Sequence, residues 1–93
     1  MTTDGAIVRV ASIRNQRGLH ARAAAKFVKV AGGYDAQVRV IKGDMDVSGT
    51  SIMGLMMLGA AMGDSITIRV KGPHAEEALE KLVALVENRF GEE

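Results

Sequence analysis

Along this chain, apolar residues fall into two rhythms. Where they recur every second position they predict strands, and where they recur every third or fourth they predict helices. The run Ala6-Ile7-Val8-Arg9-Val10-Ala11-Ser12-Ile13 has the β-branched content of a strand, with imperfect alternation. Arg14 to Gly18 form a polar loop, and from Ala21 the positions Ala24, Phe27, Val28 and Ala31 repeat at helical spacing. Gly32-Gly33 stops that helix, one of the two glycines being expected in a left-handed cap. Ala36, Val38 and Val40 alternate with Gln37, Arg39 and Ile41 as a half-buried strand, and Lys42-Gly43-Asp44 turns it into a short return strand at Met45–Val47. A hydroxyl in Ser48-Gly49-Thr50-Ser51 is placed to cap a short helix from Ile52 to about Leu58. Ile66-Ile68-Val70 is the clearest strand. After Pro73 and His74 a last helix is expected, its stripe of Ala75, Ala78, Leu79, Leu82, Leu85, Val86 and Phe90 facing the core.

The order β-α-β-β-α-β-α, with helices set against a hairpin, predicts an α+β fold: a two-layer open-faced sandwich whose three helices lie on one face of a four-stranded antiparallel sheet. Ninety-three residues suit a single domain over 1–93, with the polar residues 1–5 expected to be flexible. Twelve Lys plus Arg against eleven Asp plus Glu leave no sequence-wide field for nucleic acid, and two Phe, one Tyr and no Trp are too few for a stacking platform. Lack of cysteine excludes disulfides and thiolate metal sites, and two distant histidines give no metal-ligand spacing. No stretch reads as a signal peptide or a spanning helix, so a cytoplasmic protein without a metal or other cofactor is expected.

The chemistry concentrates in Arg17-Gly18-Leu19-His20-Ala21-Arg22. Gly18 permits a backbone conformation closed to other residues. His20 falls at or beside the N-cap of the first helix, where backbone N–H groups lack partners and the macrodipole is positive. Such a helix end binds phosphate and disfavours imidazolium, favouring a neutral nucleophile at His20. Arg22 brings a planar fork suited to phosphate oxygens.

Gly18-Leu19-His20-Ala21-Arg22, together with Gly49-Thr50-Ser51-Ile52-Met53-Gly54-Leu55, resembles HPr, the family of histidine-containing phosphocarriers of the bacterial phosphotransferase system. The likeness runs from about Ile7 to Phe90. It implies that His20 is phosphorylated at Nδ1 by phospho-enzyme I and passes the group to an EIIA-type acceptor, in sugar uptake or in a nitrogen-linked regulatory branch. It further implies that Arg22 stabilises the phosphoryl charge, with the N–H groups of Ala21 and Arg22 holding phosphoryl oxygens. Arg17 is a candidate for steering an acidic partner, and Ile52, Met53 and Met56 for a docking patch. Ser51 matches the serine modified in many bacteria by HPr kinase/phosphorylase, although Thr50 stands where the family commonly has lysine. Ala23 replaces the usual proline after the arginine, a departure that points to a sub-lineage and leaves the mechanism intact. The carrier is expected to act as a monomer, not as a stand-alone enzyme. The alternative is an HPr-like interaction module without phosphoryl turnover.

Overall fold

The computed structural model describes residues 5–92, so the flexibility expected at residues 1–5 falls, except for Gly5, outside the described residues. The strands are β1 (Ile7–Ser12), β2 (Gln37–Lys42), β3 (Met45–Ser48) and β4 (Ser65–Lys71). The helices are α1 (Ala21–Ala31), α2 (Ile52–Met57) and α3 (Ala75–Glu87), followed by a short 3-10 turn at Arg89–Gly91. The sheet order is β1-β4-β2-β3, with every neighbouring pair antiparallel. This is the expected open-faced sandwich.

The alternation in the sequence sets which face is covered. Ala11 pairs with Ile66, Val40 with Ile68, and Val38 with Val70, so the buried residues of three strands form one stripe beneath the helices. Phe27 of α1, Leu55 of α2, and Ala78, Leu82 and Val86 of α3 close over that stripe and are fully buried. The imperfect pattern of β1 follows from its place at the sheet edge. Val8 and Val10 pair with Arg69 and Thr67 on the uncovered face, and both are exposed. Arg9 sits on the helix side, in a surface cleft shared with Glu76 and Glu80.

Two expectations at helix ends are corrected. Neither Gly32 nor Gly33 is left-handed. Gly32 caps α1 at φ −73°, its N–H bonding the Val28 carbonyl at 2.8 Å, and Gly33 N–H reaches Val30 at 3.1 Å. This tightened last turn satisfies the free carbonyls, so a left-handed residue is not required. Helix α3 does not run on to Phe90 but ends at Glu87. Phe90 is nevertheless completely buried, because Arg89, Phe90 and Gly91 all take positive φ (58°, 52° and 76°) and turn the chain back under the core.

Candidate functional site

The loop between β1 and α1 is built around Gly18 and Asn15. Gly18 has φ +67°, and a Cβ placed there would lie 2.5 Å from the backbone oxygen of Ala60. That close approach lets Leu19 N–H bond the same Ala60 carbonyl at 2.9 Å, which docks the loop onto the segment following α2. Alanine at 18 would meet both the left-handed penalty of about 1–2 kcal/mol and a backbone atom unable to yield. Gly18→Ala is therefore expected to lower unfolding free energy by about 2 kcal/mol or more, read as a lower urea midpoint at unchanged slope. An unchanged midpoint would show that the loop can open without cost.

Held this way, the loop delivers His20 as the N-cap of α1, in extended conformation (φ −79°, ψ −179°). Its ring makes no capping bond, and the first helical N–H to be paired is that of Ala24, on the His20 carbonyl at 2.8 Å. The unpaired amides of the first turn therefore sit beside the imidazole, and Ala21 and Arg22 are exposed. The imidazole side chain is only 16% exposed, because the chain beyond α3 folds over it. The Glu92 carboxylate meets His20 Nε2 through Oε2 and takes the Asn15 Nδ2 donor at 3.0 Å through Oε1. Burial pushes the Glu92 carboxyl up, but the hydrogen bonds from Asn15 and His20 and the positive charge of Lys26 outweigh it, holding the group below the usual carboxylate range.

Beside this pair lies a cleft of about 280 Å³ lined by Gln16, Arg17, Arg22 and Glu92. Arg17 and Arg22 are thus brought to one opening next to His20, and among the described residues no ion pair engages either guanidinium. Their two positive forks and the Glu92 carboxylate thus face one opening beside the N-terminal turn of α1.

Ser51 caps α2 as expected: its Oγ accepts the Gly54 N–H at 2.9 Å. Of the six-residue helix only Leu55 is buried, leaving Ile52 at 40%, Met53 at 72% and Met56 at 41% exposure. Met57 and Met62, which the sequence reading left out of the patch, are exposed as well. His74 caps α3, solvent-exposed and without a side-chain capping bond. Asn15 and Glu92 were missed by the sequence reading. Asn15 looked like one more polar loop residue yet is fully buried, and Glu92 reaches it across 77 positions of chain. Among the described residues no group of acidic or histidine side chains is arranged to hold a metal, and no helix is long and apolar enough to cross a membrane.

The family described as PTS HPr component phosphorylation site matches residues 7–88. The chain is 51% identical over 82 residues to phosphocarrier protein HPr of Pseudomonas aeruginosa, covering 87% of this chain and 91% of that protein. It is 42% identical over 84 residues to phosphocarrier protein NPr of Shewanella violacea, covering 90% of this chain and 92% of the relative. A crystal structure of HPr from Thermoanaerobacter tengcongensis superposes with a TM-score of 0.89 at 41% identity, covering 94% of this chain and 98% of that one. The chain belongs to the HPr family, the phosphocarriers of the phosphotransferase system.

Proposed function

We propose that His20 is the residue on which this phosphocarrier takes up its phosphoryl group, from phospho-enzyme I, and from which it hands the group to an EIIA-type acceptor. The observation that carries this reading is the meeting of one imidazole with the unpaired amides of the α1 N-terminus and a cleft walled by Arg17 and Arg22. Phosphoryl transfer proceeds through a loose transition state whose charge spreads over the equatorial oxygens, so positioning and electrostatics supply most of the catalysis. In this reading the N–H groups of Ala21 and Arg22 receive those oxygens, and the Arg22 guanidinium offsets their charge. One preorganised donor of this kind is worth about 3 kcal/mol of barrier. Arg17, which lines the same cleft, steers an acidic partner. Ile52, Met53 and Met56 form the docking surface, where methionine adapts to donor and acceptor in turn.

The carrier works as a cytoplasmic monomer, its core closed within one chain. Incubation with enzyme I and phosphoenolpyruvate tests the assignment. A mass gain of one phosphate on His20, labile in acid and stable in base, is expected; no gain, or phosphate on another residue, would overturn it.

Ser51 serves in addition as the acceptor for an HPr kinase/phosphorylase. Its Oγ already faces the first-turn amides of α2, so a phosphate there is tolerated by the fold and adds negative charge to the docking surface. Ser51→Asp is expected to slow transfer from phospho-enzyme I several-fold while retaining the melting temperature. Unchanged transfer kinetics would remove Ser51 from the docking face.

A further inference from the structure

We propose that Glu92 is a positioning residue for phosphoryl transfer: its carboxylate holds the His20 ring proton on Nε2 and so leaves the Nδ1 lone pair as the nucleophile. The inference rests on the reading of His20 as phosphoryl acceptor and adds a residue beyond the segment 7–88 that the family matches.

The hydrogen-bond network fixes the roles. Asn15 Nδ2 donates both to the Gly18 carbonyl at 2.7 Å and to Glu92 Oε1 at 3.0 Å, which uses the two hydrogens of the amide. Turning that amide over would set its oxygen against a carbonyl and a carboxylate, so the orientation is determined by the partners. Glu92 Oε1 is thereby committed to Asn15, and Oε2 faces His20 Nε2. An ionised carboxylate only accepts, so Nε2 carries the proton, and the neutral imidazole then has its free lone pair on Nδ1.

The backbone is strained to bring this about. Arg89 and Phe90 are the two residues other than glycine at positive φ among the described residues. Such conformations persist only where the surroundings impose them, and they gather at functional sites. Here Phe90 is buried in the core, Lys26 Nζ donates to its carbonyl at 2.7 Å, and Glu92 N–H closes onto the Arg89 carbonyl at 2.8 Å. The strained turn thus ends on the residue that touches His20.

In the transfer step the Nδ1–phosphorus bond forms as the phosphorus–donor bond breaks, and the donor atom keeps that electron pair. The Nε2 proton stays on the ring, and Glu92 offsets the positive charge the ring gains. Onward transfer reverses each of these changes.

Two substitutions in the full-length chain separate this role from a merely structural one. In Glu92→Ala the ring proton is free to distribute between the two nitrogens. In Glu92→Gln, Asn15 still demands an acceptor at the Oε1 position, so the glutamine NH2 group faces Nε2 and drives the proton to Nδ1, where it blocks the nucleophile. Ring 15N NMR is expected to show the Nε2–H form in the wild type, a mixture in the alanine variant and the Nδ1–H form in the glutamine variant. The initial rate of transfer from phospho-enzyme I should fall about tenfold in Glu92→Ala, and further in Glu92→Gln, with phosphate still found on His20. A glutamine variant as fast as the alanine variant, or wild-type tautomer populations in both, would overturn the proposal. Failure of the reading beneath it has a different signature: phosphate on another residue in the wild type while the tautomer shifts still appear.

Discussion

Replacing His20 by alanine is expected to reduce phosphorylation by enzyme I and phosphoenolpyruvate to background while leaving the fold in place. The loss follows because the nucleophile itself is removed and its sequence neighbours offer no substitute: Ala21 and Leu19 are apolar, and the guanidinia of Arg17 and Arg22 carry no lone pair to give; phosphate on the Glu92 carboxylate, which touches the ring, would contradict the expectation. The structural cost does not reach unfolding. His20 makes no side-chain capping bond, so α1 loses no cap, and what the variant gives up is the ring's hydrogen bond to Glu92, about 1.5–3 kcal/mol. His74 provides an internal control, since it too caps a helix. Its neighbours there are Glu76 and Glu77, however, where His20 has an arginine-walled cleft. Phosphate appearing on His74 in the His20→Ala variant would show that a helix N-terminus alone suffices, and would remove the cleft from the explanation. Mass spectrometry after acid and base treatment, with a thermal melt of the same sample, reads both halves of the expectation.

The second large effect is expected at Phe90. Its ring is completely buried although it follows the last regular helix, and it holds down the turn that returns to His20. Truncation to alanine removes a whole aromatic side chain from a close-packed interior, a change that costs about 3–5 kcal/mol. In a chain of this size each kcal/mol moves the melting temperature by about 4–8 °C, so a drop of about 15 °C or more is expected. Phosphoryl transfer should slow in the same variant below its melting point, because Glu92 follows two residues later. A wild-type melting temperature would show that Phe90 adds nothing to the core.

Most of the architecture was legible in the chain because it is encoded locally. The alternation of Ile66, Ile68 and Val70, the helical spacing of Ala24, Phe27 and Ala31, and the hydroxyl at Ser51 each act over a few residues, so pattern and structure agree. His20 was legible for the same reason: glycine before it and a helix after it define a charged, open backbone end from sequence neighbours alone. Arg22 was placed by the same local logic, and the structure sets it in the cleft with Arg17.

What was not legible depends on distant parts of the chain. Asn15 becomes a buried donor only because Gly18 curls over it and Glu92 arrives from the far end, and neither event has a local pattern. Phe90 fitted the helical stripe at four-residue spacing from Val86, so the sequence carried its burial but not the break in the helix that achieves it. The one local sign was Gly91 directly after an aromatic residue in an otherwise polar tail. The glycine pair after α1 failed in the opposite sense, since composition suggested a left-handed cap where the Gly32 and Gly33 N–H groups already satisfy the Val28 and Val30 carbonyls. In β1, edge placement left both valines on the uncovered face, and no alternation within the strand itself distinguishes an edge from a centre.

The strand order also governs when the protein becomes competent. The hairpin of β2 and β3 closes over two residues, whereas β1 finds its partner β4 some fifty positions or more along the chain. Long closures form late, after local contacts have repaid their own entropy. The loop bearing His20 hangs between β1 and α1, so its placement is tied to the longest-range pairing in the sheet rather than to the quick hairpin of β2 and β3.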